Sequence, residues 1–268
     1  MSVIKLSSPA TKEFWEIPIL FEDENLLALD KPAGLLISPD RYDPNRPNLM
    51  KLLHAGIENA KPWARERNLN YLSNAHRLDF ETSGVILLAK NKNILIALAN
   101  LFGTEKPVKK YLAVVQGEIS DEKFEVDAKL APHPVKIGLM RVDPKNGKRS
   151  KTKFEVLENF PRFGYALLKC EPLTGRTHQI RVHAAHAGLK IVGDTLYSGK
   201  FLWLSRLKKD YRLKEGREER PLISRVALHA EELELPHPVT GEILKITAPW
   251  PKDLKVAVKY LQQFSLGV

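Results

Sequence analysis

The sequence predicts an α+β fold, with a mainly antiparallel mixed sheet flanked by helices. Segments with the two-residue repeat of strands and segments with the 3.6-residue repeat of helices are both present, but they do not alternate as regular βαβ units. No self-similarity at a period of 20–50 residues indicates a repeat protein. No linker rich in Pro, Ser or Gly divides the chain, so residues 15–268 are predicted to form one domain after a flexible arm, residues 1–14.

The individual elements follow from local patterns. Residues 17–21 and 26–29 are apolar runs on either side of a polar turn, which predicts a hairpin. Residues 93–102 repeat apolar side chains at the spacing of an amphipathic helix. The other predicted strands are 85–90, 110–118, 165–170 and 225–235, and the other predicted helices are 49–57, 177–187 and 251–264.

Turn and cap residues refine two of these predictions. Residues 137–142 and 153–157 are predicted to pair as a hairpin, because Asn146-Gly147 between them is a strong turn pair. For the helix at 177–187, Thr177 is the candidate N-cap and Gly188 the candidate residue after the C-cap.

Composition excludes several classes of protein. The chain has 268 residues, of which 43% are hydrophobic, so it is not a disordered chain. A single cysteine, Cys170, excludes an intramolecular disulfide and a zinc cluster built on cysteines, and it favours a reducing compartment. No apolar run approaches the roughly 18 residues of a membrane span, and residues 1–12 lack the apolar region that a signal peptide carries. A cytoplasmic location is therefore predicted.

The charge balance points to the class of partner. Lys and Arg number 42 against 32 Asp and Glu, which gives a formal net charge of +10. A positive excess attracts polyanions, and nucleic acid is the commonest large polyanion. Two stretches concentrate the cations, residues 141–153 and 199–225, and from the charge alone both contact with phosphates and an ordinary solvated surface stay open for them.

Residues 76–84 form the first candidate site. The segment is polar and ends in Gly84 immediately before the predicted strand 85–90, and a loop at a rigid sheet edge is a natural position for catalysis. Asp79 is its candidate nucleophile or base. From the residue pattern alone, a structural role is favoured instead, in which Asp79 and Ser83 make only turn hydrogen bonds.

Residues 174–183 form the second candidate site. Arg176, His178 and Arg181 gather hydrogen-bond donors near the start of a predicted helix, where anions bind readily. A metal site made by His178, His183 and His186 is the alternative. It is disfavoured because no Asp or Glu lies between residues 174 and 193.

Four segments in order resemble the motifs of the RluA-type pseudouridine synthase family. Residues 26–34 are similar to the family's opening strand with its Lys-Pro-x-Gly turn, and residues 76–84 are similar to its catalytic loop. Residues 109–114 are similar to its tyrosine strand, and residues 174–183 with 191–194 are similar to its arginine motif. The resemblance implies the catalytic fold of that family.

The resemblance also implies roles for single residues. Asp79 would be the catalytic aspartate, Arg181 would pair with it, and Tyr111 would contact the target uracil. Arg77 would enter the RNA near the vacated base position. The other substrate-binding residues expected from these motifs are Lys31, His76, Thr82, Arg176 and His178.

The implied activity is the isomerisation of specific uridines to pseudouridine in structured ribosomal or transfer RNA. The reaction gains and loses no elements, so no cofactor or metal is expected. The enzyme is expected to be a monomer without an obligate protein partner and without a membrane association. Larger family members carry an N-terminal S4 domain, which is expected to be absent here because the stretch before the first predicted strand is short.

Several alternatives stay open at this point. The carboxylate of Asp79 could attack C1′ of the ribose, add to C6 of the uracil, or remove a sugar proton. A second class of function is a non-catalytic RNA-binding protein on the same scaffold. A third class is a hydrolase that uses Asp79 with His178 as acid and base.

Overall fold

The computed structural model describes residues 2–40, 43, 45–117, 119 and 121–265. The chain divides into two compact units. Unit 1 is Met1–Lys109 with Ala230–Pro249, and unit 2 is Lys110–His229 with Trp250–Val268. Each unit combines antiparallel strands with helices, which confirms the predicted α+β class. Within the described ranges, no helix is both long enough and apolar enough to cross a membrane.

The strands are named in chain order. They are β1 (Val3–Ser7), β2 (Phe14–Glu22), β3 (Leu26–Lys31), β4 (Ser73–Asn74), β5 (Ser83–Ala89), β6 (Val108–Gln116), β7 (Lys123–Asp127), β8 (Leu130–Pro132), β9 (Met140–Val142), β10 (Lys151–Phe160), β11 (Tyr165–Pro172), β12 (Lys190–Ile191), β13 (Leu228–Pro236) and β14 (Ile243–Thr247). The α-helices are α1 (Leu49–Glu58), α2 (Pro62–Arg65), α3 (Lys92–Gly103), α4 (Gln179–His186), α5 (Leu204–Leu207) and α6 (Lys252–Ser265). Short 3₁₀ turns lie at Pro161–Phe163 and Thr195–Tyr197.

Unit 1 is built on strands in the order β1-β2-β3-β5-β13, with β4 added to β5 and β14 added to β13. All seven residues of β5 are buried. The uninterrupted apolar run of β5 suits this position, because a strand with neighbours on both sides and covered faces needs no polar alternation. The core of this unit gathers residues of β3, β5, α3, β13 and β14.

Unit 2 is built on strands in the order β6-β11-β10-β7, with β12 added to β6, and has a separate two-stranded pair, β8-β9. Helices α4 and α6 contribute apolar side chains to its core, among them Ile180, Leu254 and Leu261. Helix α6 begins directly after Pro251, in agreement with the predicted final helix.

The first strand differs from the expectation of a flexible arm at residues 1–14. Strand β1 pairs with β2 from Val3 opposite Pro18 to Ser7 opposite Phe14. Ile4 and Leu6 are buried, whereas Lys5 and Ser7 are exposed. This alternation is the signal of a half-buried strand, and it is short enough to be overlooked beside the polar residues that follow it.

The predicted hairpin of 137–142 with 153–157 is wrong. Strand β9 pairs with β8, and β10 pairs with β7 and β11. The side chain of Asp143 accepts hydrogen bonds from the N–H groups of Lys145 and Asn146, and the Gly147 N–H donates to the Asp143 carbonyl. The Asn146-Gly147 turn therefore belongs to a local Asp-capped turn and does not connect two paired strands.

Helix α4 begins two residues later than predicted. The residue before it is His178, which has a φ of 53° and makes no side-chain cap hydrogen bond. Thr177 is therefore not the N-cap. The prediction at the other end is confirmed, because Gly188 follows the C-cap Ala187 with a φ of 83°.

Candidate active site

Lys31 lies at the end of β3 and connects two loops of unit 1. Its side chain is fully buried. Its Nζ donates to the carbonyl oxygens of Pro32 at 2.7 Å, Leu35 at 2.8 Å and Phe80 at 3.4 Å. The Gly34 N–H donates to the same Phe80 carbonyl at 2.9 Å. The ammonium thus ties the Lys-Pro-Ala-Gly turn to the residue after Asp79, and the expected substrate contact of Lys31 stays a prediction.

Asp79 lies in the tight turn that leads into β5. The Thr82 N–H donates to the Asp79 carbonyl at 3.2 Å, and Leu78 on the other side is buried. Asp79 itself is partly buried, whereas Arg77 is exposed, as an RNA contact requires. The Thr82 side chain is only 2% exposed, so this residue shapes the turn more readily than it contacts a substrate.

Gly84 explains why the loop ends in glycine. Its φ is 114°, and a Cβ at this position would lie 2.1 Å from the carbonyl oxygen of Ala230 in β13. A side chain cannot fit against a backbone at that distance. The missing side chain therefore allows the start of β5 to lie directly against β13, which fixes the end of the Asp79 loop.

His76 is held inside unit 1 by two contacts. Its ring stacks on Phe102 with centroids 5.0 Å apart and an interplanar angle of 26°. Its Nε2 accepts a hydrogen bond from the Leu87 N–H at 3.1 Å. Burial, and secondly the charge of Lys109, lowers the pKa of His76 to about 3. The ring is therefore neutral at physiological pH and anchors the loop to β5, while the expected substrate contact of His76 stays a prediction.

The lowered pKa of His76 predicts acid sensitivity. The unfolded chain takes up a proton on His76 below the ordinary pKa of about 6.5, whereas the folded chain does so only near pH 3. The stabilisation that neutral His76 gives the folded chain is therefore present above pH 6.5 and is lost as the pH falls below that value. Between pH 7.5 and 5 the loss should reach about 2 kcal/mol in the free energy of unfolding. Urea unfolding of the wild type and of His76→Gln at both pH values should reveal this difference, and equal pH dependences would contradict it.

Tyr111 lies on β6 in unit 2. It pairs with Cys170 of β11 in the sheet register, and its half-buried ring packs against the core of the unit. Its neighbours Leu112 and Val114 are fully buried. The aromatic side chain is therefore carried by a central strand, and a rigid element of this kind suits the expected contact with a uracil.

Arg181 is built into unit 2 by a buried ion pair. Its Nε lies 2.7 Å from Oδ2 of Asp194, and its Nη2 lies 2.6 Å from Oδ1. The side chains are 3% and 1% exposed. This pairing engages one edge of the guanidinium and fixes the plane of the group. The carboxylate that Arg181 meets within its own unit is thus Asp194, and the expected pairing with Asp79 stays a prediction.

Tyr197 adds an aromatic support to the same cluster. The Arg181 Cζ lies 5.2 Å from the centroid of the Tyr197 ring. The Tyr197 hydroxyl accepts a hydrogen bond from the Met140 N–H at 3.0 Å and makes a second one with Nδ1 of His178 at 2.9 Å. His178 has a positive φ of 53°, an uncommon conformation for a non-glycine residue that is typical of constrained functional loops.

Two glycines allow the loop that carries Asp194 and Tyr197 to pack closely against other backbone. A Cβ on Gly193 would lie 2.0 Å from the carbonyl oxygen of Arg225, and a Cβ on Gly199 would lie 2.0 Å from that of Ile191. The Gly199 N–H also donates to the Asp194 carbonyl at 2.7 Å. The backbone around Asp194 is therefore packed against other backbone, with no room for side chains.

A second network fixes helix α4, which carries Arg181. Gln179 donates through Nε2 to the Lys151 carbonyl at 2.9 Å and to the Thr152 hydroxyl at 3.0 Å. The buried His183 lies 2.9 Å from the same hydroxyl through Nδ1 and 3.0 Å from the Ala128 carbonyl through Nε2. Burial lowers the pKa of His183, so its ring is neutral. Both residues hold the helix against β10.

Arg176 lies at the approach to α4. Its Nε donates to the Arg149 carbonyl at 3.1 Å, and its N–H donates to Oε1 of Gln179 at 3.0 Å. The side chain is partly exposed and lies beside the basic stretch 141–153.

The alternative metal site finds no support in the geometry. Both ring nitrogens of His183 already make hydrogen bonds, to Thr152 and to the Ala128 carbonyl. In the described part of the chain, no group of three or more His, Cys, Asp or Glu side chains could hold a metal ion.

The sequence identified Arg181 as a functional residue but missed its supports. Asp194 is only the last residue of the segment 191–194 that resembles the arginine motif, and Tyr197 lies outside both candidate sites. A signal was present, because Gly193-Asp194 follows the arginine motif closely and glycines on both sides of an acid indicate a constrained loop.

Comparison with known proteins gives a consistent set of relatives. The family model described as RNA pseudouridylate synthase matches residues 25–186. The chain is 35% identical over 266 residues to the ribosomal large subunit pseudouridine synthase D of Xanthomonas campestris, which covers 98% of this chain and 75% of the relative. It is also 35% identical over 247 residues to the ribosomal large subunit pseudouridine synthase C of Escherichia coli K12, which covers 91% of this chain and 70% of the relative.

Two solved structures have the same fold. Human RNA pseudouridylate synthase domain containing 4 is similar with a TM-score of 0.67 at 24% identity, over 91% of this chain and 92% of that one. Human RNA pseudouridylate synthase domain containing 1 is similar with a TM-score of 0.64 at 23% identity, over 94% and 95%. At these identities the likeness concerns the fold alone.

Proposed function

The chain belongs to the RNA pseudouridylate synthase family and is an isomerase, and we propose that its substrate is a uridine of large-subunit ribosomal RNA, with Asp79 as the catalytic carboxylate. One observation carries this proposal. The family match at residues 25–186 contains Asp79, Tyr111 and Arg181, so the three residues of the expected catalytic set lie within the matched range. The names of the bacterial relatives support ribosomal over transfer RNA.

The reaction exchanges one bond to the ribose for another. The bond between N1 of uracil and C1′ breaks, and a bond between C5 and C1′ forms. The proton on C5 leaves to water, and N1 gains a proton. Asp79 would attack C1′, add to C6 or remove a sugar proton, and its positioning by the Lys31 turn supports a carboxylate held at a fixed place for any of these steps.

In a folded RNA the bases are stacked and paired, so the target uridine must be flipped out before it can react. Flipping a nucleotide out of a stack costs a few kcal/mol. We infer that Tyr111 returns part of this cost, since stacking of a base on an aromatic ring contributes roughly 1–3 kcal/mol. The exposed Arg77 would fill the space that the base leaves, and Arg181 would pair with Asp79. His178 and Arg176 would contact the neighbouring RNA.

The basic stretches would supply phosphate contacts. Residues 199–225 are anchored in the core of unit 2 by Leu202, Leu207 and Ile223. Between these anchors the exposed cations are Arg206, Lys208, Lys209, Arg212, Lys214, Arg217 and Arg220. An anchored segment with exposed cations suits a long, negatively charged backbone.

Phosphate contacts predict a steep dependence of RNA affinity on salt. Each contacted phosphate should contribute about 0.7–0.9 to the slope of log affinity against log salt. The double variant Lys145→Gln with Lys148→Gln should therefore flatten that slope by about 1.5. Filter binding of a labelled ribosomal RNA transcript at several KCl concentrations measures it.

Two exposed lysines of α6 provide a matched control. The double variant Lys255→Gln with Lys259→Gln removes the same charge from unit 2 and should keep the wild-type slope. An identical slope in all three proteins would show that residues 141–153 do not hold phosphates.

Tritium release tests the proposed activity directly. A large-subunit ribosomal RNA transcript labelled with tritium at uracil C5 should lose tritium to water without strand cleavage. Binding without release would support a non-catalytic RNA-binding protein, and free uracil or cut RNA would support a hydrolase. Mapping pseudouridines in cellular RNA with and without the gene would identify the target, and a missing site in transfer RNA would reassign the substrate.

Action on ribosomal RNA agrees with a cytoplasmic location, which we propose together with a monomeric state and no obligate protein partner. Gel filtration with light scattering tests the oligomeric state. A dimer at micromolar concentration would contradict the monomer.

A further inference from the structure

A small lobe of unit 2, residues 129–149, carries the strands β8 and β9 and ends in an apolar tip. At this tip Val135 is 81% exposed and Ile137 is 77% exposed. Lys136 lies between them and is also exposed. Two β-branched apolar side chains are thus exposed to solvent at the turn of a hairpin. They contribute nothing to the core of the protein.

The tip is ordered by its own hydrogen bonds. Nδ1 of His133 accepts from the N–H groups of Val135 at 3.2 Å and Lys136 at 2.9 Å. The His133 N–H donates to the Leu139 carbonyl at 2.7 Å, and the Leu139 N–H donates to the Lys136 carbonyl at 3.2 Å. Gly138, with a φ of 78°, closes this last turn. The apolar side chains are therefore presented on a defined backbone.

The lobe is strongly basic. Its exposed cations are Lys129, Lys136, Arg141, Lys145, Lys148 and Arg149. Its one carboxylate, Asp143, is bound by Arg141 at 2.8 Å. Hydrogen bonds from the N–H of Asn146 and then of Lys145, together with Arg141, keep the pKa of Asp143 low against the opposing effect of burial. The lobe therefore presents an excess of positive charge around its apolar tip.

Unit 1 contains a turn of the same design without this charge. His237-Pro238-Val239 begins the turn between β13 and β14, and Nδ1 of His237 accepts from the N–H groups of Val239 and Thr240. Val239 is 62% exposed, and Ile243 is 65% exposed. The hairpin of β13 and β14, residues 228–247, contains four glutamates and one lysine, Lys245, whose Nζ lies 2.7 Å from Oε2 of Glu232. In both turns a histidine Nδ1 accepts hydrogen bonds from the backbone and apolar side chains are exposed, but the two turns differ in charge.

We propose that the tip of the basic lobe is an RNA wedge, in which Val135 and Ile137 enter between stacked bases while the surrounding cations hold the flanking phosphates. This inference rests on the proposed function and extends it, because it assigns the opening of the RNA to a surface outside the expected catalytic residues. Apolar side chains that enter base steps, flanked by cations, are a known way to unstack nucleic acid. The acidic turn of unit 1 cannot act in this way, since its charge repels phosphates.

A wedge acts only on RNA that is stacked, and the experiment uses this property. Tritium release is measured on a C5-labelled large-subunit ribosomal RNA transcript folded with Mg²⁺, and on the same transcript heat-denatured without Mg²⁺. The double variant Val135→Ser with Ile137→Ser should lose about tenfold or more in kcat/KM on the folded RNA. It should stay within about twofold of the wild type on the denatured RNA. Both positions are exposed, so the melting temperature should not change.

The matched control is Val239→Ser with Ile243→Ser, which removes the same side chains from the acidic turn and should leave both rates unchanged. Equal rates for the wild type and the Val135/Ile137 variant on folded RNA would overturn the wedge and leave the tip as a surface for a protein partner. An equal loss on both RNAs, or the same loss in the control, would also overturn it. A wild type that releases no tritium from either RNA would instead refute the proposed function, and the wedge with it.

Discussion

Replacement of Asp79 by Asn should reduce tritium release by at least about a thousandfold, because an amide carries no negative charge and is a poor nucleophile and base. The change is nearly isosteric, so the turn closed by the Thr82 N–H should persist, since that hydrogen bond uses the Asp79 carbonyl. RNA binding should therefore survive. The measurement is single-turnover release with the enzyme in excess over the C5-labelled transcript.

The Asp79 prediction has a geometric counterpart. Asp79→Glu keeps the charge but moves the carboxylate by one methylene, and a displacement of about 1 Å can cost about a hundredfold in rate. Asp121→Asn, an exposed acid of unit 2, serves as the control and should keep wild-type release. Wild-type release by Asp79→Asn would remove the catalytic assignment, and so would a loss of the same size in the Asp121 variant.

Much of the fold was predictable because its elements have strong local signals. Strand β5 is a continuous apolar run, α3 repeats apolar residues at helical spacing, and Gly188 ends α4. Strand partners are a different matter, since they depend on contacts between distant residues. Asn146-Gly147 satisfies the local rule for a hairpin, yet β10 pairs with β7 and β11, and no local pattern reveals which strands pair.

The candidate site shows the same division. Asp79 and Arg181 stand out as candidates because they are polar residues beside a buried strand and near a helix start, but the pattern alone favours a structural role for Asp79, and the catalytic roles follow from the family resemblance. Their supports could not, since the Lys31 ammonium binds backbone carbonyls, including one 49 residues away in the chain. The Asp194 partner of Arg181 lies 13 residues away on a loop whose shape depends on backbone packing. In this site the type of a residue predicts the chemistry that its side chain can do, whereas contacts between distant residues decide where that side chain lies.

Arg181→Lys should remove most of the activity while it keeps the positive charge. A lysine offers a single ammonium, so it cannot hold both oxygens of Asp194 as Nε and Nη2 do. The ammonium would also lose the planar contact with the Tyr197 ring. With its direction no longer fixed, the charge could not hold a second carboxylate in a defined geometry. We expect turnover to fall about a hundredfold or more.

Stability separates this positioning effect from simple unfolding. Removing one partner of a buried ion pair costs about 3–5 kcal/mol, and lysine keeps the charge, so the free energy of unfolding should fall by less than that. Arg67→Lys is the matched control, because Arg67 pairs with Glu22 through Nε at 2.9 Å in unit 1 and has no part in the expected catalytic set. It should lose some stability and keep its turnover. If both variants turn over at the wild-type rate under conditions where both are folded, the guanidinium has no geometric role and the catalytic carboxylate needs only a nearby charge.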